Sequence, residues 1–486
     1  MRIAIIGGGV AGLAAAFELE KARQAGEAVE YALYEASQRL GGVLSSETRN
    51  GVVLERGPDS FLTEKPAAAE LCRELGIGDE LIPSNDAARQ THIVVKNRLI
   101  PLPDGLMFLI PTKLVPTALT RLFTLKTKMR MAMELLLPPR PSGEDESVAA
   151  LVERHFGTEV VDRLADPLLS GIYGGDSRQL SARTVLPKLV EMETQYGSMT
   201  RGMLAAHKAM RRRMALNKSA GAAGGANPRP RGIFTTLRGG LQQLVDALES
   251  ALDPVHVRLG TSVTALERAT VGWRVTARGA SELYDAVILA TPAWAAGEML
   301  KNVDETLSNE LSAIPYSSSI TMNLVYDEGA LGPLPAGFGF LVPTSEGRAM
   351  LACTFVHRKF VRDSASGKVV LRAFLGGMRN EEQMDMPDEE LAAIVRKDLS
   401  EILGEHIMSR SAVPELVHVA RWRRAMAQYA VGHQDRIKEI RNRVAELDGL
   451  CLAGNAYDGI GISDCIRLGR QAARELAAAK ATAANL

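Results

Sequence analysis

Three glycines near the start of the chain, Gly7, Gly9 and Gly12, stand in G-x-G-x-x-G spacing. They follow the apolar run Arg2–Ile6 and lead into Leu13–Ala25, a stretch of helix formers that stops at Gly26. In a strand–turn–helix context each glycine has a task. The first permits the tight turn, the second lets a pyrophosphate reach the backbone, and the third packs helix on strand with the phosphate at the helix N-terminus. Glu35 closes the next apolar run, Val29–Tyr34, at about the spacing of a ribose-binding carboxylate. A carboxylate there accepts ribose hydroxyls and repels a 2′-phosphate, which argues against NADP. The chemistry is dinucleotide binding.

More glycine turns follow, in Arg39-Leu40-Gly41-Gly42 and in Glu55-Arg56-Gly57-Pro58-Asp59-Ser60. An NAD enzyme has no need of them, whereas a longer dinucleotide with a tricyclic ring needs more points of backbone approach. Near the other end, Gly454–Ile462 precedes a helix expected over Ile466–Ala479. That loop could offer N–H groups and the helix dipole to the pyrimidine end of a flavin. FAD is therefore the expected cofactor. No nucleophile–base pair, reactive cysteine or paired carboxylate shows in the spacing, the eight histidines form no ligand pattern, and no metal is expected. The hard chemistry would belong to the cofactor.

The elements that must position these groups are scattered. Asp285–Pro292 and Leu450–Asn455 read, like the first run, as buried parallel strands. The expected fold is α/β: a discontinuous Rossmann-like FAD-binding domain (1–87, 231–304 and 416–486), a mixed-sheet substrate domain (88–105 and 305–415) and a helical insertion (106–230). A strand is expected over His92–Leu99, and antiparallel strands over Ser319–Tyr326, Ala349–Phe355 and Val369–Phe374. The Gly/Ala/Pro-rich stretch 217–231 reads as a flexible surface loop.

Several motifs together resemble the protoporphyrinogen and coproporphyrinogen oxidases of haem biosynthesis, within the flavin amine oxidase superfamily. They are Glu55–Phe61, Pro167–Asp176, Thr235–Leu241, Gly337–Pro343, Arg421-Trp422 with Gln428-Tyr429, and Gly454–Asp464. The most specific is Gly-Ile-Tyr-Gly-Gly-Asp, since amine oxidases lack it. The resemblance implies that FAD is held by Gly7, Gly9, Ala11, Gly12, Glu35, Gly42 and the run Gly57, Pro58, Asp59 and Ser60. It also implies that Val263 touches the adenine, and that Trp422 and the loop Asn455–Gly461–Ile462 flank the flavin. Substrate would lie against Gly171, Leu341 and Phe355, although the last two could equally be core. The reaction implied is a six-electron oxidation of the porphyrinogen with dioxygen as acceptor and hydrogen peroxide released. Asp59 is a candidate for proton transfer or for an orienting role. At Gln90-Thr91-His92 no arginine stands where it would face a propionate, although Arg89 is nearby, as in the Gram-positive-type bacterial branch that acts on coproporphyrinogen III. Lys65 could then make a propionate contact, or could be a solvated lysine at a helix start. The choice of porphyrinogen stays open.

Lys+Arg and Asp+Glu balance at 57 each in 486 residues, so no whole-chain field would attract nucleic acid. Four scattered cysteines read as reduced thiols, and no run reaches the roughly 20 apolar residues of a membrane span. A cytoplasmic protein is expected. The basic, apolar region Leu106–Leu137 could rest on the inner face of the cell membrane, or could be an ordinary helical insertion. Candidate partners are a porphyrinogen, dioxygen, a membrane surface and a second copy of the chain. Competing readings are an amine oxidase or carotenoid desaturase, and a flavin-binding protein without turnover; with aromatic content of 5%, an amine cage is weakly supported.

Overall fold

In the computed structural model, which describes residues 1–103, 106–107, 110–111, 114–138, 143–219, 232–362 and 367–483, the apolar runs collect into two large sheets. The first is five-stranded and parallel, in the order Val257–Arg258, Glu30–Tyr34, Arg2–Ile6, Ala286–Leu289, Leu450–Leu452. Its central strands are buried on both faces, which is why Ile3–Ile6 and Ala286–Leu289 are apolar at successive positions rather than at alternate ones. Ile3, Ile5 and Ile288 pack on the helices Val10–Gln24 and Ile462–Ala483. Ala4, Ile6, Val287 and Leu289 face the helices Ala293–Leu300 and Glu305–Ser312 on the other side. The last helix starts at Ile462, a turn earlier than the expected Ile466, because Cys465 N–H already donates to the Gly461 carbonyl (3.0 Å).

The second sheet has seven strands, in the order Leu416–Ala427, Tyr316–Asp327, Lys368–Gly376, Ala352–Phe355, Gly339–Leu341, Thr91–Val95, Arg98–Pro101. All its pairs are antiparallel except Gly339–Leu341 with Thr91–Val95, so the sheet is mixed. Two expectations change here. The single strand over His92–Leu99 is a hairpin that turns at Lys96 and Asn97, both with positive φ (50° and 58°) as a two-residue turn needs. Neither residue is glycine, so the usual turn signal is missing; Glu346 holds both N–H groups instead (2.9 and 3.3 Å). The expected boundary at 416 also moves. Leu416–Ala427 is the edge strand of the second sheet, in register with Tyr316–Asp327, so the chain returns to the first sheet only after Ala427.

A helical layer runs from Val148 to Ser219. Most of the expected loop 217–231 lies outside the described residues, and 217–219 continue the helix Met199–Ser219. The layer is tied together by a buried polar cluster. Glu134 accepts from Met199 N–H (2.6 Å), Ser198 Oγ (2.8 Å) and Thr200 N–H (3.3 Å), which caps that long helix. His155 lies between carboxylates, with Nδ1 3.1 Å from Glu134 and Nε2 3.2 Å from Glu193, while Arg154 pairs with Glu193 and Glu146. Burial alone would lower the His155 pKa, but its bonds to Glu134 and Glu193 outweigh that and raise it. Burial would raise Glu193, yet bonds from His155 and Arg154 hold it down at about 2.

The two shifts act in opposite pH ranges. The His155 contribution is complete below the ordinary histidine value of about 6.5 and is lost as pH rises through the raised value. The Glu193 contribution is complete above about 4.3 and is lost as pH falls toward about 2. A melting temperature that falls on the alkaline side is expected for the native protein. In His155→Gln that fall should disappear; parallel profiles would refute the linkage. Glu134→Ala leaves a buried helix start without its acceptor and the buried His155 with Glu193 as its one remaining carboxylate, and is expected to cost about 3–5 kcal/mol in denaturant melts.

Candidate active site

The glycine turn is shaped by what surrounds it. Gly7 has φ of +109°, and a Cβ there would lie 2.7 Å from the Ala290 carbonyl oxygen; a Cβ on Gly12 would lie 1.9 Å from Gly7 O. Around Gly9 nothing lies within 4 Å of that position, so this glycine faces open space. Gly9 also caps the following helix without a side-chain bond, which leaves first-turn N–H groups for an anion. Ala11 is buried against the last helix, where its carbonyl oxygen leaves room only for Gly469. Glu35 is oriented by two N–H donors, Gly8 to Oε2 and Ser37 to Oε1, both 2.7 Å. Each oxygen keeps a lone pair for a ribose hydroxyl. Thr261 N–H donates to the Glu35 carbonyl (2.8 Å), which brings the strand starting at Val263 to this end of the site. Gly42, with φ of +57°, is exposed beside Gly9, and Arg39 donates to its carbonyl. These residues fit the phosphate and ribose end of FAD.

The next turn is held differently. A Cβ on Gly57 would meet the Val43 carbonyl oxygen at 1.8 Å, so only glycine fits. Three consecutive carbonyls here are taken by side chains of the second sheet. Asn323 Nδ2 donates to Glu55 O (3.0 Å), Trp422 Nε1 (2.7 Å) and Thr321 Oγ1 donate to Arg56 O, and Arg372 donates to Gly57 O. Trp422, expected beside the flavin, is a clamp on the loop. Asp59 Oδ2 is 2.9 Å from Lys359 Nζ and 3.5 Å from the Arg372 guanidinium, and Asp59 Oδ1 accepts from Ser60 Oγ (2.6 Å). Burial alone would raise the Asp59 pKa, but Lys359 and Arg372 hold it well below the usual carboxylate range. A carboxylate held ionised donates no proton, which favours the orienting role for Asp59. Pro58 between these residues is half-buried.

The C-terminal loop is pinned by Tyr429. Its hydroxyl donates to Asn455 O (2.9 Å) and accepts from Gly459 N–H (3.0 Å), while Asn455 Nδ2 donates to Ala425 O (2.9 Å). Gly461 N–H donates to Asp464 (3.3 Å), and Ile462 is buried under the loop. Lys65 is in an ion pair: its Nζ is 2.6 Å from Asp464 Oδ2, and its side chain is 42% exposed.

On the opposite side, a π-helical turn over Val161–Ala165 runs into the helix Asp166–Tyr173, which ends at Gly174 in the left-handed region. Gly171 is exposed on it, and a Cβ there would lie 3.2 Å from Leu341 Cδ2, so these two meet. Phe355 does not join them. It is completely buried, edge-on to Phe340 at 6.2 Å in the core of the second sheet, which takes the core alternative. Ile172, which the sequence reading passed over, is 53% exposed beside Gly171. Tyr173 meets the residues beside that loop: its carbonyl accepts from Gln428 Nε2 (2.7 Å), and its ring lies edge-on to Tyr429, which pins the loop, at 6.1 Å. Arg372 and Lys359 were also missed. The one signal for Arg372 was a charge inside the apolar run Val369–Phe374.

The likeness to known proteins runs along nearly the whole chain. Residues 10–477 match the family of flavin containing amine oxidoreductases. Coproporphyrinogen III oxidase of Bacillus subtilis (strain 168) is 35% identical over 473 residues, covering 97% of this chain and 96% of that protein. Coproporphyrinogen III oxidase of Staphylococcus aureus (strain NCTC 8325 / PS 47) is 30% identical over 486 residues, 98% of this chain and 99% of that one. A crystal structure from Exiguobacterium sp. 255-15, provisionally named a protoporphyrinogen oxidase, superposes with a TM-score of 0.84 at 31% identity, covering 98% and 99% of the two chains. With a turn built for a dinucleotide and a match over nearly its full length, the chain belongs to the flavin-containing amine oxidoreductase family and takes FAD as its cofactor.

Proposed function

We propose that this protein oxidises a porphyrinogen to the porphyrin, with coproporphyrinogen III preferred over protoporphyrinogen IX. The observation that carries the reading is the 35% identity, over 97% of the chain, to the coproporphyrinogen III oxidase of Bacillus subtilis. Bound FAD supplies the hydride acceptor and, once reduced, the electrons that dioxygen takes. Six electrons and six hydrogens leave the macrocycle in three rounds, each converting one dioxygen to one hydrogen peroxide.

The chain's own residues bind and orient. The Gly7–Gly12 turn and Glu35 would hold the pyrophosphate and ribose, and the Gly57–Ser60 and Asn455–Ile462 loops would hold the ring. Exposed Gly171 and Ile172, with Leu341, offer an apolar wall to a flat macrocycle. The Gly171 carbonyl is the acceptor for a pyrrole N–H. Lys65, kept near the loop by Asp464, meets a substrate propionate.

A peripheral membrane contact belongs to the same reading. Leu125, Met129 and Met133 form an exposed apolar stripe at helical spacing on Leu125–Met133. Val115, Leu119 and Leu136, in the neighbouring stretches of chain, are exposed too, as are Arg121 and Lys126. An apolar stripe rimmed by cations suits an anionic bilayer surface. Among the described residues no helix is long and apolar enough to cross a membrane.

Three measurements test these statements. Anaerobically prepared coproporphyrinogen III and protoporphyrinogen IX, each mixed with the FAD-loaded protein in air, should give porphyrin fluorescence above the spontaneous rate and peroxide in threefold molar amount. The larger kcat/KM should fall to coproporphyrinogen III; no acceleration with either substrate sinks the reading. Lys65→Ala should raise KM two- to fivefold, about the worth of an exposed ion pair. The rise should be greater for coproporphyrinogen, which carries more propionates, and kcat should be nearly unchanged; equal effects on both substrates would remove Lys65 from specificity. In vesicle sedimentation, native protein should pellet with anionic but not neutral vesicles, and Leu125→Glu with Met129→Glu should abolish it. No binding to anionic vesicles refutes the membrane contact.

A further inference from the structure

The loop Gly57–Ser60 is backed by a buried ion cluster that the proposed reaction leaves without a role. Arg372 is 1% exposed in the middle of the strand Lys368–Gly376, inside an otherwise apolar run. Its guanidinium donates to Gly57 O and lies 3.5 Å from Asp59, whose other close partner is Lys359. Arg362 lies 3.8 Å from Glu55, which is 2% exposed and accepts from Ser46 Oγ (2.5 Å) and Leu241 N–H (3.1 Å). Three cations therefore face two carboxylates, and burial pushes one of these, Glu55, up to about 7. An arginine stays charged in such a place. The cluster has an excess of positive charge directly behind the loop.

The geometry bears on what the loop presents. The Gly57 carbonyl precedes Pro58, so that peptide has no N–H and could offer only its oxygen to a neighbour. An oxygen turned toward a ring that gains electrons would oppose its reduction. Arg372 takes that oxygen into the second sheet. We propose that Arg372 is a positioning residue for the cofactor: it turns the Gly57 carbonyl away from the flavin, anchors Asp59, and through its buried charge raises the flavin's affinity for electrons. This inference rests on the reading that residues 57–60 face the flavin.

The test is the flavin midpoint potential of the FAD-loaded protein, measured by dye-coupled anaerobic reduction. Arg372→Met should shift the equilibrium toward oxidised flavin by at least tenfold, about 30 mV for a two-electron couple. Arg372→Lys, which keeps the charge, should recover more than half of that shift. Lys359→Met removes another cation of the cluster from a less deeply buried site, and should shift the potential in the same direction even if Arg372→Met fails to fold. FAD-loaded variants with the native potential overturn the inference, as does Arg372→Lys behaving like Arg372→Met. The reading of the reaction fails separately, through absence of porphyrin formation by the native protein, and the potentials remain measurable in that case.

Discussion

Three successive backbone carbonyls, those of Glu55, Arg56 and Gly57, are each held by a side chain from the second sheet, and the cofactor side of the site depends on that attachment. The donors Asn323, Trp422 and Arg372 stand on three adjacent strands, so strand register sets their spacing. A buried carbonyl without a donor costs about 1–3 kcal/mol, which leaves the segment few alternatives. Val43 O, pressed against Gly57, closes it from the other side. The segment is therefore held on both sides, and the second sheet cannot move without disturbing what the loop presents.

The same contact explains why charged residues lie so deep. Ions are costly to bury unless each finds partners, and removing one partner costs more than the pair contributes. Lys359 and Arg372 both pair with Asp59, and Arg362 lies beside Glu55, so each of these buried ions has a partner of opposite charge. Replacing the whole cluster by apolar side chains of similar size would leave stability little changed. The reason to keep ions here is directional: a guanidinium fork fixes a carbonyl and a carboxylate together, which an apolar side chain cannot do.

A second attachment works from the far side. Tyr429 fixes the C-terminal loop through Asn455 and Gly459, and its neighbour Gln428 fixes the end of the Asp166–Tyr173 helix through the Tyr173 carbonyl. Two adjacent residues thus set the separation between a loop read as cofactor-facing and a helix read as substrate-facing. Gly175 leaves the space that Gln428 occupies, since a Cβ there would lie 2.3 Å from Gln428 Oε1. This gives the Tyr-Gly-Gly-Asp run a packing reason alongside its family likeness.

By itself the sequence determined what short-range chemistry decides. The Gly7–Gly12 turn, the strands Arg2–Ile6 and Ala286–Leu289, and the acid at Glu35 were legible because turn geometry and two-sided burial act on neighbouring residues. The motifs shared with porphyrinogen oxidases carried the reading of the reaction. Only the tertiary structure decided matters that rest on contacts far apart in the chain. Arg372 meets Gly57 across 315 positions, and Trp422 meets Arg56 across 366, so no window of sequence holds both partners. Leu341 and Phe355 are both apolar residues in short strands, yet one lies against Gly171 and the other inside the core. Hydropathy cannot separate them, because a pocket wall and a core ask for the same kind of side chain. The hairpin at Lys96-Asn97 was hidden for a related reason: its positive φ angles are stabilised by Glu346, a distant residue, rather than by a glycine in the turn.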